Sequence, residues 1–428
     1  MTPEQNATLC RVQEAAPMGT LMRRYWLPAC MSEDVAEPDG PPRQARLLGV
    51  NLVVFRDTQG QVGVLDELCP HRRASLVYGR NEECGLRCLY HGWKFDVAGT
   101  ITDMPSEPEG TALTEKIAAR AFPVVESGGF VWVWMGDPAK VTPFDPPIWH
   151  KAAAGKISIV KVHADCNWAQ VLEGSIDSAH SSSLHSTNMP SAETVASSTA
   201  TSSAWLRPSA DKSPRLDVQK LDFGFRYAAI RKPIHDPDLR DYIRVTVFQA
   251  PFTVHIPPTD RYRLSQMLVP IDDENTMFYW IAWHTDPAKG IAQDDWRRFC
   301  GAEVGKDVEP VSYRKARNAA NGYLQDRAAM RTGDFTGIYG IPMQDMAMWE
   351  SMGRIADRSE DRLGSSDKAI VTFRTLMLRA AQAAGQGQDA LAEPVGLSER
   401  AELTSFEGLV DKGADGVWPR IDATMVKA

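Results

Sequence analysis

The sequence predicts an α+β protein of two domains: an all-β N-terminal domain, then a larger domain with an antiparallel sheet and covering helices. Three observations carry this reading. Short β-branched or alternating runs dominate residues 1–150, and a Pro-rich stretch, Asp137–Pro147, closes them. Further strand-like runs follow it, with charged, alanine-containing stretches between them that favour helix. At 428 residues the chain is also too long for one small domain. The expected boundaries are 1–150 and 151–428.

In the first domain, Ala45–Phe55 and Gln61–Leu65 read as strands separated by the turn Asp57-Thr58-Gln59-Gly60. Phe130–Met135 is a third strand, announced by Ser127-Gly128-Gly129. In the second domain, strands are expected over residues 158–165, Phe223–Arg231, Tyr242–Ile256, Arg261–Val269 and Met277–His284. Asp286–Arg331 reads as a helical insertion, and Met343–Ala356 as a further helix. Pro190–Thr201 and Gly385–Gly396 have the composition of mobile loops.

Composition narrows the function classes. Apolar residues make up 43% of the chain, with no continuous run long enough to span a membrane. The opening Met1-Thr2-Pro3-Glu4 lacks a basic and an apolar region, so a cytoplasmic protein is expected. Of the seven cysteines, Cys10, Cys30, Cys84, Cys166 and Cys300 are scattered and read as packing residues in a reducing compartment. A net charge of −8 argues against nucleic-acid binding. Arg72, Arg73, Arg80, Arg87 and Lys94 are a local exception: either a solvated loop surface or a docking site for an acidic electron donor.

Cys69-Pro70-His71 and Cys88-Leu89-Tyr90-His91 are two short clips, each with one Cys and one His. Zinc sites usually pair C-x2-4-C with H-x3-5-H. One Cys and one His per clip instead suits a Rieske [2Fe–2S] cluster, in which two histidines replace two cysteines on one iron. Such a cluster relays single electrons.

A destination for those electrons lies in Asn167-Trp168-x-Gln170-x-x-Glu173-Gly174-x-x-Asp177-x-x-His180-x4-His185. Asp177 and His180 are one helical turn apart, and His185 follows five residues on. Two histidines supply most of a 2-His-1-carboxylate facial triad for iron(II), which leaves positions open for dioxygen and substrate. The carboxylate must come from elsewhere: Asp345 is the first choice, Glu350 the second and Asp334 the third.

These motifs, with Gln344-Asp345-x4-Glu350, resemble those of the Rieske non-haem iron aromatic-ring-hydroxylating oxygenases along nearly the whole chain. Within that family the chain looks most like large (alpha) subunits that work without a small subunit, of the phthalate 4,5-dioxygenase type. The resemblance implies a Rieske domain followed by a helix-grip-like catalytic domain, in a homotrimer or stacked hexamer. It implies one [2Fe–2S] cluster on Cys69, His71, Cys88 and His91, and one mononuclear Fe(II) on His180, His185 and Asp345. It also implies that Asp177 bridges the iron to the cluster of the neighbouring subunit, with Asn167 and Glu173 in the shell around the iron.

The resemblance implies electrons from NADH through a reductase with flavin and a plant-type [2Fe–2S] centre; no G-x-G-x-x-G follows a strand here, so that reductase is expected to be a separate polypeptide. By the same resemblance the chain is an oxidoreductase that adds O2 to one face of an aromatic ring, giving a cis-dihydrodiol. Arginines in apolar strand sequence point to the substrate, because a guanidinium binds carboxylate in bidentate fashion. Arg207 and Arg244 are the main candidates, and Arg226 and Arg231 weaker ones; Ser178, Ser181 and His255 are further candidates for the pocket. The blander alternative pairs the arginines with the chain's own carboxylates, such as Asp241. An aromatic carboxylate is expected, phthalate or a close benzenedicarboxylate first. Monooxygenation, O-dealkylation or ether cleavage of a phenoxybenzoate or chlorobenzoate is the alternative outcome at the same iron, and an electron carrier with an appended binding module is the alternative class.

Overall fold

The computed structural model describes residues 1–108, 111–191, 205–389, 391, 395–413 and 418. The chain divides into two compact units, Val12–Pro147 and Met1–Arg11 with Ile148–Ala428. The first residues therefore belong with the second unit, not with the N-terminal domain as expected. Pro3–Cys10 forms a helix because Thr2 and Gln5 make a capping box and Pro3 occupies its first turn. The helix buries Leu9 and Cys10, and Asn6 donates to the Ala356 carbonyl at 2.9 Å.

The Val12–Pro147 unit holds three small antiparallel sheets. The run expected as one strand, Ala45–Phe55, is two strands, Arg43–Leu47 and Val50–Arg56, reversed at Leu48 and Gly49, both of positive φ. Phe130–Trp134 is a fully buried strand between Trp26–Met31 and Val124–Ser127. The four-stranded sheet runs through Arg80–Glu82, Gly85–Arg87, Lys94–Phe95 and Ile101–Asp103. Its core joins Val53, Phe55, Leu76, Leu86, Trp93 and Phe95 around Cys69 and Cys88.

The larger unit is built on one eight-stranded antiparallel sheet. Seven strands run in the order Ile157–Ala164, Thr276–Trp283, Arg263–Pro270, Thr253–Ile256, Arg240–Gln249, Gly224–Arg231 and Arg215–Leu221. The eighth, Phe406–Asp411, pairs with the first half of Arg240–Gln249, while Thr253–Ile256 pairs with its last residues. Register fixes which side chains share a face, because side chains alternate along each strand. Tyr227 lies opposite Thr246, Arg244 opposite Glu407, and Gln266 opposite Trp280.

Helices differ more from expectation. Asp286–Arg331 contains only Gln293–Phe299, a short 3-10 segment at Ala319–Leu324 and Arg327–Arg331. Gly301 and Gly305, at φ 63 and 83, turn the chain away after the first of these. The helix expected at Met343–Ala356 runs from Ile341 to Ser351 and stops before Gly353, whose φ is 92. An 18-residue helix, Lys368–Gly385, was not foreseen; its Phe373 packs edge-on against Trp168. Most of Pro190–Thr201, and parts of Gly385–Gly396, lie outside the described residues. Among the described residues no helix is long and apolar enough to cross a membrane.

Candidate metal centres and substrate cavity

The two Cys/His clips fold alike. The Cys69 N–H donates to Ala74 and its carbonyl accepts from Arg73; the Cys88 N–H donates to Trp93 and its carbonyl accepts from Gly92. Both loops thus close at the fourth residue after the cysteine, and both use a left-handed residue there, Arg73 at φ 62 and Gly92 at φ 80. Gly92 is required: a Cβ would stand 2.5 Å from Pro105 Cγ. Cys69 and Cys88 are buried, and the imidazoles of His71 and His91 meet with centroids 4.5 Å apart. Trp93 stacks on His71 at 4.4 Å with the rings nearly parallel, and its N–H donates to Ser106. Two thiols inside and two imidazoles outside fit a cluster whose histidine-ligated iron faces outward.

In the larger unit, Trp168–Ser175 carries the approach to the second centre. Asn167 caps this helix, accepting from the Ala169 N–H while donating to the carbonyls of Cys10 and Asp273. Gln170 donates to the Trp349 and Gly353 carbonyls and accepts from Ala356, tying this helix to Ile341–Ser351. The contact is so close that a Cβ on Gly174 would lie 2.0 Å from Trp349 Nε1. Beyond the helix end, Asp177 accepts from the Ala179 N–H and places one carboxylate oxygen 3.6 Å from His180 Nδ1.

His180, His185 and Asp345 converge as expected. The two Nε2 atoms are 3.2 Å apart, and Asp345 Oδ1 lies 3.4 Å from His180 and 3.0 Å from His185. An ion roughly 2.1 Å from each ligand, at angles of roughly 90°, would separate them by roughly 3 Å. Asp345 Oδ1 is buried with no aligned hydrogen bond, which suits a metal ligand. The group also draws positive charge. Burial would raise Asp345, but His185 and His180 outweigh it and hold its pKa at about 2. Burial would lower His180, but Asp177 and Asp345 push it up to about 10.

Gln344 was not foreseen as a functional residue, although it precedes Asp345 in the motif. Its Oε1 lies 2.7 Å from His185 Nδ1, and its amide N–H groups donate to Asn188 Oδ1 and the Ile338 carbonyl, both at 2.9 Å. Those two donations orient the amide, so Oε1 must accept. His185 is then protonated on Nδ1 and presents a free Nε2 lone pair to the centre.

The other carboxylates considered are committed elsewhere. Glu350 accepts from Lys315, Tyr323 and the Asp165 N–H, and Asp334 caps a turn by accepting from Thr336 and Gly337. Asn167 and Glu173, expected in the shell around the iron, have other partners. Asn167 is spent on the cap and two carbonyls, and Glu173 is paired with Arg358 and Arg374. Each satisfies buried partners that hold the helix in place.

A cavity opens on the triad, walled by the sheet face bearing Tyr227, Arg244, Thr246, Gln266 and Trp280. Trp349, four residues after Asp345 as expected, also lines it. Ser178 and Ser181 lie on its wall, and the Ser178 carbonyl accepts from Arg231 at 2.8 Å. Arg244 pairs with Glu407 at 3.3 Å across neighbouring strands, and not with Asp241. Among the described residues Arg207 has no carboxylate contact; its guanidinium reaches Met189 Sδ at 2.9 Å and Ser182 Oγ at 3.4 Å, beside an adjoining cavity that shares Met189. Among the described residues, His255 and Arg226 are misplaced for substrate. His255 pairs with Ser265 and Val247, on the face opposite Gln266, and bonds Ser265 and Gln249. Arg226 pairs with Val247 on that same opposite face and donates to Gln219.

Comparison with known proteins agrees with this geometry. Residues 25–123 match the Rieske [2Fe-2S] domain family, and 133–428 match the family described as LigXa C-terminal domain like. The phthalate 4,5-dioxygenase oxygenase subunit of Pseudomonas putida is 50% identical over 100% of this chain and 98% of its own length. The 3-chlorobenzoate-3,4-dioxygenase oxygenase subunit of Comamonas testosteroni is 35% identical over 89% of this chain and 88% of its own. The solved structure of the Pseudomonas putida CBB5 NdmA QL mutant with caffeine shares the fold, with a TM-score of 0.59 at 16% identity, covering 93% of this chain and 99% of that one. The chain is thus an oxidoreductase with a Rieske [2Fe–2S] domain and a His/Asp group fit for mononuclear iron, and it belongs to the Rieske oxygenases as an oxygenase alpha subunit.

Proposed function

We propose that this chain is the terminal oxygenase of a multicomponent system that cis-dihydroxylates an aromatic carboxylate, phthalate or a close benzenedicarboxylate. Electrons reach it one at a time from an NADH-dependent reductase carrying flavin and a plant-type [2Fe–2S] centre, and the system is cytoplasmic. The balance is one ring, one O2, two electrons and two protons to one cis-dihydrodiol. The observation that carries the substrate assignment is the buried Arg244 on the wall of the cavity that also holds His180, His185 and Asp345. A guanidinium fork there suits a ring-borne carboxylate and fixes which ring edge faces the triad.

Bound at His180, His185 and Asp345, iron supplies the activation of dioxygen. The chain's own residues do the rest. Gln344 holds the His185 tautomer, and Trp280, Ile341 and Trp349 give the ring an apolar wall. Arg244 orients the carboxylate, with Arg207 assisting from beyond Met189. Asp177 stays 21% exposed beside His180, which leaves it open to the neighbouring subunit's cluster in a trimer or stacked hexamer.

The test is turnover with such a reductase and NADH on a panel of benzoates, phthalates and phenoxybenzoates, with product regiochemistry read by NMR. Cis-dihydrodiols from benzenedicarboxylates in preference to the other ligands support the proposal. Ether cleavage or O-dealkylation as the main reaction overturns it.

A further inference from the structure

Four ionisable side chains behind the cavity carry an unbalanced charge. Arg207, Arg231 and Arg244 are 4%, 2% and 7% exposed, and Glu407 is 7% exposed. Strand register puts three of them on one sheet face, since Arg231 lies opposite Tyr242 and Arg244 opposite Glu407, with Tyr242 and Arg244 two residues apart. Tyr242 donates its hydroxyl to Glu407 and, pushed up by burial, stays neutral. Burial and the charges of Arg244 and Arg231 press Arg207 down to about 9. Of the other carboxylates among the described residues, Asp177 faces His180, and Asp211, whose charge reaches Arg231, lines the adjoining cavity together with Lys212, so that this pair adds no net charge.

The Nε atoms of Arg207, Arg231 and Arg244 are all buried without an aligned hydrogen bond. Among the described residues the Arg231 guanidinium donates to Ser178 alone, and it also lines the adjoining cavity. A buried cation without a counter-charge costs several kcal/mol, and arginine does not escape by losing its proton at neutral pH. Among the described residues, three guanidinium groups against one carboxylate leave an excess of two positive charges. Something bearing two negative charges is the natural complement.

We propose that Arg231 and Glu407, neither of which lines the cavity at the triad, set its preference for a dianion by fixing that excess at two. A benzenedicarboxylate cancels the excess, and a benzoate cancels half of it. This inference rests on the reading of the cavity as an aromatic-carboxylate site and adds two specificity-determining residues to it. They act through the field, with Arg231 behind Ser178 and Glu407 behind Arg244.

The experiment is anaerobic titration calorimetry of benzene-1,2-dicarboxylate and of benzoate into the metal-loaded full-length oligomer at pH 8. Arg231→Gln reduces the excess to one and is expected to lower the dicarboxylate-over-benzoate affinity ratio about tenfold, the effect of one unit charge at roughly 10 Å in an effective dielectric near 20. Glu407→Gln raises the excess to three and is expected to raise the ratio by a similar factor. Arg231→Lys keeps the charge and the ratio. Opposite shifts in the two glutamine variants are hard to produce by general damage, which changes both ligands together. An unchanged ratio in Arg231→Gln, or shifts in the same direction, overturns the inference. If Glu407→Gln does not fold, the Arg231 pair decides alone. A wild-type protein that binds neither ligand refutes the parent reading; one that binds both equally refutes only this inference.

Discussion

Replacing Gln344 with leucine tests whether a single amide holds the iron site in order. The change keeps the side-chain size in a position that is 1% exposed, but removes the acceptor 2.7 Å from His185 Nδ1. Two effects follow for the metal. The imidazole loses the partner that fixes its proton on Nδ1, so part of the population carries the proton on Nε2 and cannot ligate. The ring also loses its anchor, and leaving its buried N–H without an acceptor costs about 1–3 kcal/mol. Together these correspond to a loss of about 10–100-fold in iron affinity, the usual range for partners of metal-bound histidines. Asn188 Oδ1 and the Ile338 carbonyl lose their donors as well, so a fall in thermal stability is expected alongside. The assay is competition with a chromogenic iron(II) chelator, using the visible spectrum of the [2Fe–2S] cluster as an internal standard for intact protein. Gln344→Glu retains an acceptor and is expected to recover much of the affinity. Retention of iron by Gln344→Leu at the wild-type chelator midpoint would refute the argument.

Other substitutions separate the remaining roles. Asp177→Asn is expected to leave iron and cluster content unchanged while lowering turnover by about 100-fold or more; turnover close to wild type would rule out the bridging role. Arg244→Lys preserves the ion pair with Glu407 but not the guanidinium fork, so KM for a benzenedicarboxylate should rise about tenfold with no change in the rate of cluster reduction. Stopped-flow reduction and steady-state turnover read the two separately, and an unchanged KM would return Arg244 to a structural role. Gly174→Ala places a methyl 2.0 Å from Trp349 Nε1, and the forced shift should cost about 1–3 kcal/mol in a melting experiment. A melting temperature equal to wild type would mean that the two helices separate freely.

Much of both candidate metal centres was legible because the candidate ligands are constrained locally. Cys69 with His71, and Cys88 with His91, each sit in one loop; His180 and His185 follow one helix end. Asp345 needed the family resemblance, since nothing local distinguishes it from Glu350, five residues later on the same helix. The structure separates them through Lys315 and Tyr323, which claim Glu350. Asn167 and Glu173 have roles that the motif did not disclose. They share a motif with the ligands, yet serve a helix cap and a buried ion pair that keep that motif in position.

On the sheet, alternation identifies strands but not which of their two faces meets the cavity. His255 was assigned to the pocket, and register puts it on the other face, one residue out of phase with the choice that would have been right. The helices of Asp286–Arg331 were overestimated because composition does not show where Gly301 and Gly305 turn the chain. Glu407 was invisible for a different reason: its partners are remote in sequence, and a carboxylate in a short run such as Phe406–Asp411 has no local signal of burial.

The pairing of Phe406–Asp411 with Arg240–Gln249 also bears on how the protein is assembled. Glu407 lies 165 residues beyond Tyr242, so its contact closes one of the longer loops in the unit, and contacts of that span form late in folding. During synthesis the three arginines emerge well before the carboxylate that partly offsets them. A ribosome-bound chain halted short of residue 406 would already contain all seven proposed metal ligands, yet its cavity would still lack its counter-charge. The strand that sets the charge balance of the cavity carries none of those seven proposed ligands and is synthesised after all of them, so that balance is the last of these features to be completed.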